Sequence, residues 1–599
     1  MMHGRPGNPR KANRLVWLAL SFFASPVFAE PWQNLTQPIG DLLIDPPQSA
    51  LTVNRYLMSL DPNITPATFP FELSTDVTKI QTTQTLYFVR VYNESAGSFP
   101  VGSWIMRASE ARGLTPAQIR NIQALPAEPT DFTFVQVPAG IIVYTGLAGP
   151  IEGWGQGGAT QSKMMGPPFV PRENYINRQP LGDCFLCYEV LAPTGNAARV
   201  ASVLDRTTPI PYSGLDNLYN NLDSMYFGPT ATQFRAALNA LSGEGAVGSQ
   251  TVALGNSSSF VQAVSQEAER WIARGALTSQ STSALTSSTN SANRANGLWA
   301  SLTGGTATLR GGQDTATVQS SGAGLQIGMR RQLSPNHMVG IALGATNSNY
   351  SVNARATHGT LNGINAALYG VARLDRAYVL GTLAYSRSNT DLDRTVSVQT
   401  LYNQQKASFA TNVVSLRLEA GYRLQLGEGG PNTNLGDANL NNARPGSRPF
   451  NLDLTPFVAL EPTVLWQNAF TERMSAAQSN ATNLGLSFQS QQITSLPVTL
   501  GVQVDSTVSS RQGWLVRPWA RLAWVHEFNP TRQLNASLQL LPNQTFTVYG
   551  ASAPRNLGKV SFGIAGTNAE GLTAYLTIDT AFSSTSQAFA ARAGINLSF

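Results

Sequence analysis

The sequence predicts a mainly β fold: a C-terminal, twelve-stranded antiparallel transmembrane β-barrel behind a helical linker and a small mixed α/β domain. Three observations carry this expectation. Phe589, Ala591, Ala593, Ile595, Leu597 and Phe599 alternate with small or polar residues up to the last position of the chain. A period of two with one apolar face is a strand whose two faces meet different surroundings, in a soluble sandwich or in a membrane barrel alike. The export signal, the strand count and the terminal Phe599 put the barrel ahead. Similar segments recur from Leu298 onward, and the N-terminus carries an export signal. Only 12% of residues are charged, about half the ~25% of an ordinary globular domain. The formal charge of +6 forms no dense basic run, so no nucleic-acid partner is expected.

The export signal opens with Arg5, Arg10, Lys11 and Arg14, continues with an apolar run from Leu15 to Ala24, and offers small residues at Val27 and Ala29. This is the pattern of a secretory signal peptide over 1–29, cleaved between Ala29 and Glu30 and handled by the general secretion machinery. The apolar run is about half the ~20 residues that a spanning helix needs. No other stretch is long and apolar enough, so membrane insertion is expected by strands.

Residues 30–214 form the N-terminal region, with its ordered part expected at about 71–195. The stretch 30–70, rich in Pro, Asn, Thr and Gln, reads as an extended lead-in. Gln81 to Tyr92 has strong β propensity. Thr115, Pro116 and Gln118 match a helix start with a capping box, and Pro126 stops that helix after about Ala124. Residues 132–138 and 141–144 read as two strands turned by Pro138 to Gly140. The glycines between Gly146 and Gly158 predict a flexible loop and lack the spacing of a dinucleotide fingerprint. Cys184 and Cys187 are the only cysteines. In an exported chain they suit a small-loop disulfide; a redox pair or half of a zinc site stays open, with no second pair to complete a metal cage.

Residues 215–297 read as a helical and polar linker. Phe234, Leu238 and Leu241 share one face of a helix ended by Gly243. A second helix covers 259–273, and the Ser-, Thr- and Asn-rich 278–295 reads as a flexible tether or a polar segment in a wet lumen. The barrel domain is 298–599. Its strands start near Leu298, Val318, Met338, Leu361, Tyr378, Ala407, Leu452, Leu484, Trp514, Leu557, Leu572 and Gln587. An even number puts both ends of the wall on one side. Segments 390–405, 471–483 and 529–555 read as long loops at one end, and 427–449 as an insertion at the other. Arg417, Glu419, Arg423, Glu461, Arg517 and Arg521 fall on the polar face and are expected to face the lumen. Trp524 and His526 fall at a strand end, where a membrane interface belongs.

Residues 234–244, Leu298 to Ser301, Leu383 to Ser386, Pro456 to Glu461, Trp519 to Phe528 and the terminal Phe599 together resemble the autotransporter family of type V secreted proteins. The resemblance covers roughly 215–599. It implies an outer-membrane barrel with a helix through its lumen that moves an N-terminal passenger to the cell surface. It also implies that the barrel assembly machinery reads the last strand, with Phe599 as the signal. The passenger is short and without repeats, and Asn290, Asn293 and Asn296 do not form the adjacent pair at which some members cleave themselves. Its surface ligand is not identified by the sequence. No cofactor and no metal are expected, and no enzymatic role. His3 lies in the signal peptide and His337, His358 and His526 in the barrel, so a Ser-His-Asp mechanism has no base in the passenger. Glu128, Glu152, Glu173 and Asp183 are the carboxylates near the glycine-rich loop and read as solvated surface.

Overall fold

The computed structural model describes residues 44–182, 186–226, 231–280, 296–426, 451–475, 482–509 and 514–599, without the side chains of 274–280, 451 and 509. The signal peptide with Ala29 and Glu30, Cys184, the tether beyond residue 280 with Asn290 and Asn293, and the 427–449 insertion lie outside the described residues.

The N-terminal domain starts earlier than the sequence suggests. Helix α1 (Ala50–Leu60) stands where an extended lead-in is expected; Ser49 caps it, and Ala50, Val53, Asn54 and Leu57 form its buried face. Strands β1 (Asp76–Gln81) and β2 (Leu86–Tyr92) divide the expected strand between two sheets. Helix α2 (Pro116–Gln123) has the expected capping box, with Gln118 N donating to Thr115 Oγ1 at 3.3 Å and Thr115 N to Gln118 Oε1 at 2.9 Å. Strands β3 (Asp131–Val137) and β4 (Ile142–Leu147) do not form the expected hairpin: β3 pairs with β2, and β4 with β1. Strands β5 (Thr160–Met165) and β6 (Tyr175–Pro180) extend the two sheets beside β4 and β3. The glycine-rich loop is held rather than free. Gly157 donates to the Asn121 carbonyl at 3.0 Å, and with φ +71° and 2.3 Å between a built Cβ and the Ala148 oxygen only glycine fits.

Helices α3 (Gly195–Asp205), α4 (Gly214–Tyr226) and α5 (Ala231–Ser242) form a neck. Gly243 ends α5 in the left-handed region, as expected, and α6 (Gly248–Gln280) follows.

The barrel comprises β7 (Asn296–Leu309), β8 (Val318–Ser334), β9 (His337–Val352), β10 (Thr357–Leu374), β11 (Ala377–Val398) and β12 (Leu401–Tyr422). It continues with β13 (Asn451–Leu460, then Thr463–Gln467) and β14 (Gln491–Ser495, then Pro497–Ser509), each interrupted once. β15 (Leu515–Glu527), β16 (Asn556–Thr567), β17 (Leu572–Phe582) and β18 (Ser586–Ser598) complete it. All neighbours are antiparallel, and β18 pairs with β7 from Ser586 opposite Leu309 to Ser598 opposite Gly297, closing a twelve-stranded wall. Asn296 and Phe599 exchange two backbone hydrogen bonds of 3.1 Å at the base of this seam. A closed wall leaves no free edge.

Two strand starts differ from expectation. The sixth strand begins at Leu401 rather than near Ala407, and the eighth at Gln491 rather than near Leu484. Segment 390–405 is not a loop: β11 and β12 run through it and turn at Gln399 and Thr400. Along β11 the outward residues change from Val379, Leu383 and Tyr385 to Arg387, Asn389, Asp391 and Asp393, while Leu392, Val396 and Val398 turn inward and are buried. An apolar outer face belongs against lipid and a polar one in water, so the wall leaves the lipid band near Tyr385. Phe470–Thr471, Leu486–Phe488, Gln533–Leu538 and Thr545–Tyr549, from the other two expected loops and their flanks, form a small four-stranded sheet above the wall. Val200, Leu204, Leu222, Phe234 and Leu241 of the neck share one core with Leu392, Val396, Leu486, Phe488 and Leu534 of this mouth.

Candidate functional site: the barrel lumen and its helix

Helix α6 occupies the lumen. Its N-terminal end is held at the mouth, where buried Glu244, just ahead of it, accepts from Ala316 N at 2.5 Å and Arg355 Nε at 2.6 Å. Toward its other end Arg373 donates to the Trp271 carbonyl at 3.1 Å and stacks over the Trp271 ring at 3.5 Å. The helix is two-sided. Phe260, Val261, Val264, Ala268 and Trp271 recur at helical spacing and pack on Trp299, Met338, Ala342, Tyr369, Tyr378, Leu380 and Ala384 of β7 and β9–β11. Gly344 admits the Phe260 ring: a Cβ there would lie 3.0 Å from it. Ser257 and Ser265 bond Ser415 and Thr382 at 3.1 and 3.2 Å.

Ion pairs fill the polar side. Arg521 donates to Glu269 of the helix at 2.5 Å and to Glu419 at 2.8 Å. Glu419 also accepts from Arg417 at 2.5 Å and Tyr378 Oη at 2.9 Å, and Arg417 reaches Glu461 at 3.1 Å. Nearer the base, Arg423 bridges Asp453 at 2.5 Å and Asp505 at 3.0 Å, and Arg517 joins Asp505 at 2.9 Å. All six residues read as lumen-facing are thus inside the wall; among the described side chains of the helix, the hydrogen bond to these six is the one from Arg521 to Glu269. The others bond side chains of the wall. Buried charges of this kind are tolerable only when paired and hydrogen-bonded.

The sequence reading missed the helix contacts that lie at the seam. Glu267, fully buried, accepts from Arg330, from Asn596 and from Arg270, the last at 3.0 Å. Arg330 also donates to Asn596 at 3.2 Å and Ser598 at 2.8 Å, passing over Gly297, where a Cβ would lie 2.7 Å from its Cζ. Arg592 donates to Gln266 at 2.6 Å. Their signal was present: Arg330 and Arg592 occupy the polar parity of strands whose other face is apolar. A cavity of about 430 Å³ remains beside the helix, bordered by Gly255, Gln262, Glu461, Lys559, Asp579 and Arg592.

Trp524 and His526 lie on β15 with ring centroids 5.7 Å apart, and Phe599 is exposed on the outer face at the seam. Cys187 is disulfide-bonded. Among the described residues no group of three or more His, Cys, Asp and Glu side chains could hold a metal ion.

Solved structures similar to the chain include the translocator domain of the autotransporter NalP from Neisseria meningitidis. It is 16% identical, with 57% of this chain and 99% of that chain covered and a TM-score of 0.39. The β domain of the Bordetella autotransporter BrkA is 18% identical, with 51% and 100% covered and a TM-score of 0.35. The transport unit of the autotransporter AIDA-I from Escherichia coli is 16% identical, with 54% and 97% covered and a TM-score of 0.36. A comparison with curated proteins finds no match. The autotransporter β-domain family model matches residues 298–579. By that match the barrel belongs to the autotransporter β-domain family, and it is an outer-membrane barrel of type V secretion.

Proposed function

We propose that the barrel delivers its own N-terminal domain to the cell surface and keeps α6 in the lumen afterwards. The observation that carries this reading is the path of α6. It runs from the mouth, where Glu244 is held, toward the base, where β7 begins and β18 ends. Strand ends at the base belong on the periplasmic side of an even-stranded barrel, so the mouth and the domain joined to it belong outside. Export by the general secretion machinery and folding by the barrel assembly machinery, with Phe599 as the recognised residue, complete the route. The displayed domain acts by binding a surface ligand, as an adhesin does, rather than by catalysis; the lack of histidine between His3 and His337 supports this.

Protease added to intact cells tests the route. Digestion of the N-terminal domain with the barrel left whole is the expected result. Protection until the outer membrane is permeabilised would instead mark a channel with a periplasmic domain.

A further inference from the structure

The neck is shared between the two ends of the molecule, and its bonding goes further than tethering by the backbone. Loop 207–211 joins α3 to α4, with Ile210 at its exposed tip, 64% accessible. On the far side of that loop from the N-terminal domain, Tyr212 turns back into the domain's core. It is buried among Ile80, Val135 and Val143, with its hydroxyl 2.6 Å from Thr145 Oγ1.

Helix α4 then supplies the carboxylates that two buried arginines of the domain require. Arg107 pairs with Asp216 at 2.9 Å and stacks over Phe88 at 4.2 Å. Arg112 pairs with Asp223 at 2.9 Å and stacks over Tyr188 at 3.9 Å. Tyr188 Oη donates to Asp223 at 2.6 Å, and Tyr87 N donates to Asn220 at 2.7 Å.

On the near side of the loop, α3 is bound to the mouth. Asn196 exchanges two hydrogen bonds with the Tyr549 backbone, 2.7 and 2.9 Å, and Thr194 donates to Asp314 at 2.8 Å. On the far side of the loop, Asn221 of α4 accepts from Thr400 N and Oγ1 at 3.1 and 2.6 Å and Asn217 donates to Thr482 at 2.9 Å, which fixes α4 itself to the mouth. Each half of the chain therefore completes the buried polar bonding of the other across loop 207–211. An unpaired buried arginine or aspartate is costly, so separation of the halves is opposed by the same groups that hold them together.

We propose that the barrel mouth is a docking surface for the chain's own N-terminal domain, which stays bound without a continuous backbone. The N-terminal domain is then retained on the barrel rather than released, even after cleavage between α3 and α4. This goes beyond the proposed route to the surface and does not depend on it, because the test is made on detergent-solubilised full chain.

A site-specific protease sequence inserted at Ile210 lets the backbone be cut in the folded protein. The expected result is co-elution of both fragments on size exclusion after complete cleavage, with separation only in denaturant. Separation in native buffer overturns the proposal. Carrying Asp216→Lys with Asp223→Lys, which sets like charges against Arg107 and Arg112, the cut protein is expected to shed its N-terminal fragment at least tenfold faster. Unchanged retention would overturn the assignment to these pairs. Should that variant fail to fold, Asn196→Ala removes the Tyr549 bonds from outside the domain core, and the same comparison of shedding rates applies.

Discussion

Glu267 offers the sharpest test of how the lumen helix is seated. Its carboxylate is the common acceptor for Arg330, Asn596 and Arg270, so it joins α6 to β8 and to the closing strand at once. Glu267→Ala leaves Arg330 with Asn596 and Ser598 but with no paired carboxylate among the described residues, and Arg270 with the Tyr575 ring at 3.6 Å. Breaking a buried pair by removing one partner costs about 3–5 kcal/mol. If the helix opens locally without the barrel unfolding, that loss appears as amide exchange in 248–273 faster by roughly 10²-fold to a few thousand-fold, at about 1.4 kcal/mol per decade. Glu267→Met combined with Arg330→Met removes both members of that pair and is expected to regain part of the loss, because Arg330 is no longer buried without Glu267, while Arg270 keeps only the Tyr575 ring. Hydrogen–deuterium exchange of the folded protein in detergent reads both variants. Exchange within about threefold of wild type in Glu267→Ala, or a double variant as damaged as the sum of its singles, would refute the reasoning.

Three further outcomes follow from the geometry. Replacing Arg417 and Arg521 with Ala unpairs Glu461 and Glu269 and is expected to raise single-channel conductance in planar bilayers; unchanged conductance would mean that these pairs do not narrow the path beside the helix. Deleting Phe599 removes two backbone bonds to Asn296, about 1 kcal/mol each; the amount assembled in the outer membrane is expected to fall several-fold while refolded protein in detergent loses only that small stability. Burial pushes the Glu110 carboxyl up to about 7 in the N-terminal domain, against hydrogen bonds from Thr160 that lower it. A raised carboxyl pKa gives stability that is full below about pH 4.5 and lost as pH rises through about 7. Glu110→Gln is therefore expected to stabilise the domain by roughly 1–3 kcal/mol at pH 8 and to be neutral at pH 4, as read by urea unfolding monitored on the domain.

Much of this was readable from residue order. Alternation at a period of two placed ten of the twelve wall strands within a few residues of their observed starts, because every wall strand meets two different solvents. Thr115 and Gln118 announced α2, and Gly243 the end of α5, since caps are chosen by local backbone geometry. Helix α1 was legible too, in Ser49 followed by Ala50, Val53, Asn54 and Leu57, but the surrounding Pro- and Asn-rich composition obscured it. The strands within 390–405 were missed for an instructive reason. Leu392, Val396 and Val398 keep the period of two but on the opposite parity from Leu383 and Tyr385, and only a reading that allowed the buried face to switch would have followed the strand out of the lipid.

Residue order alone was enough to show alternating wall strands, with charges on the face opposite the apolar one wherever that face is apolar, and a last strand that belongs to the wall. These are properties of successive residues and of the solvent each face requires. Tertiary structure decided which charges meet. Arg330 and Glu267 are 63 residues apart, Arg394 and Glu472 78, Arg521 and Glu269 252, and nothing local selects one carboxylate over another until the wall closes around the helix. It also decided that β3 and β4, adjacent in sequence, belong to different sheets, and that the neck's apolar faces are buried against the barrel mouth. Such choices depend on which surfaces are brought together in space, and a linear pattern records only that each surface needs a partner.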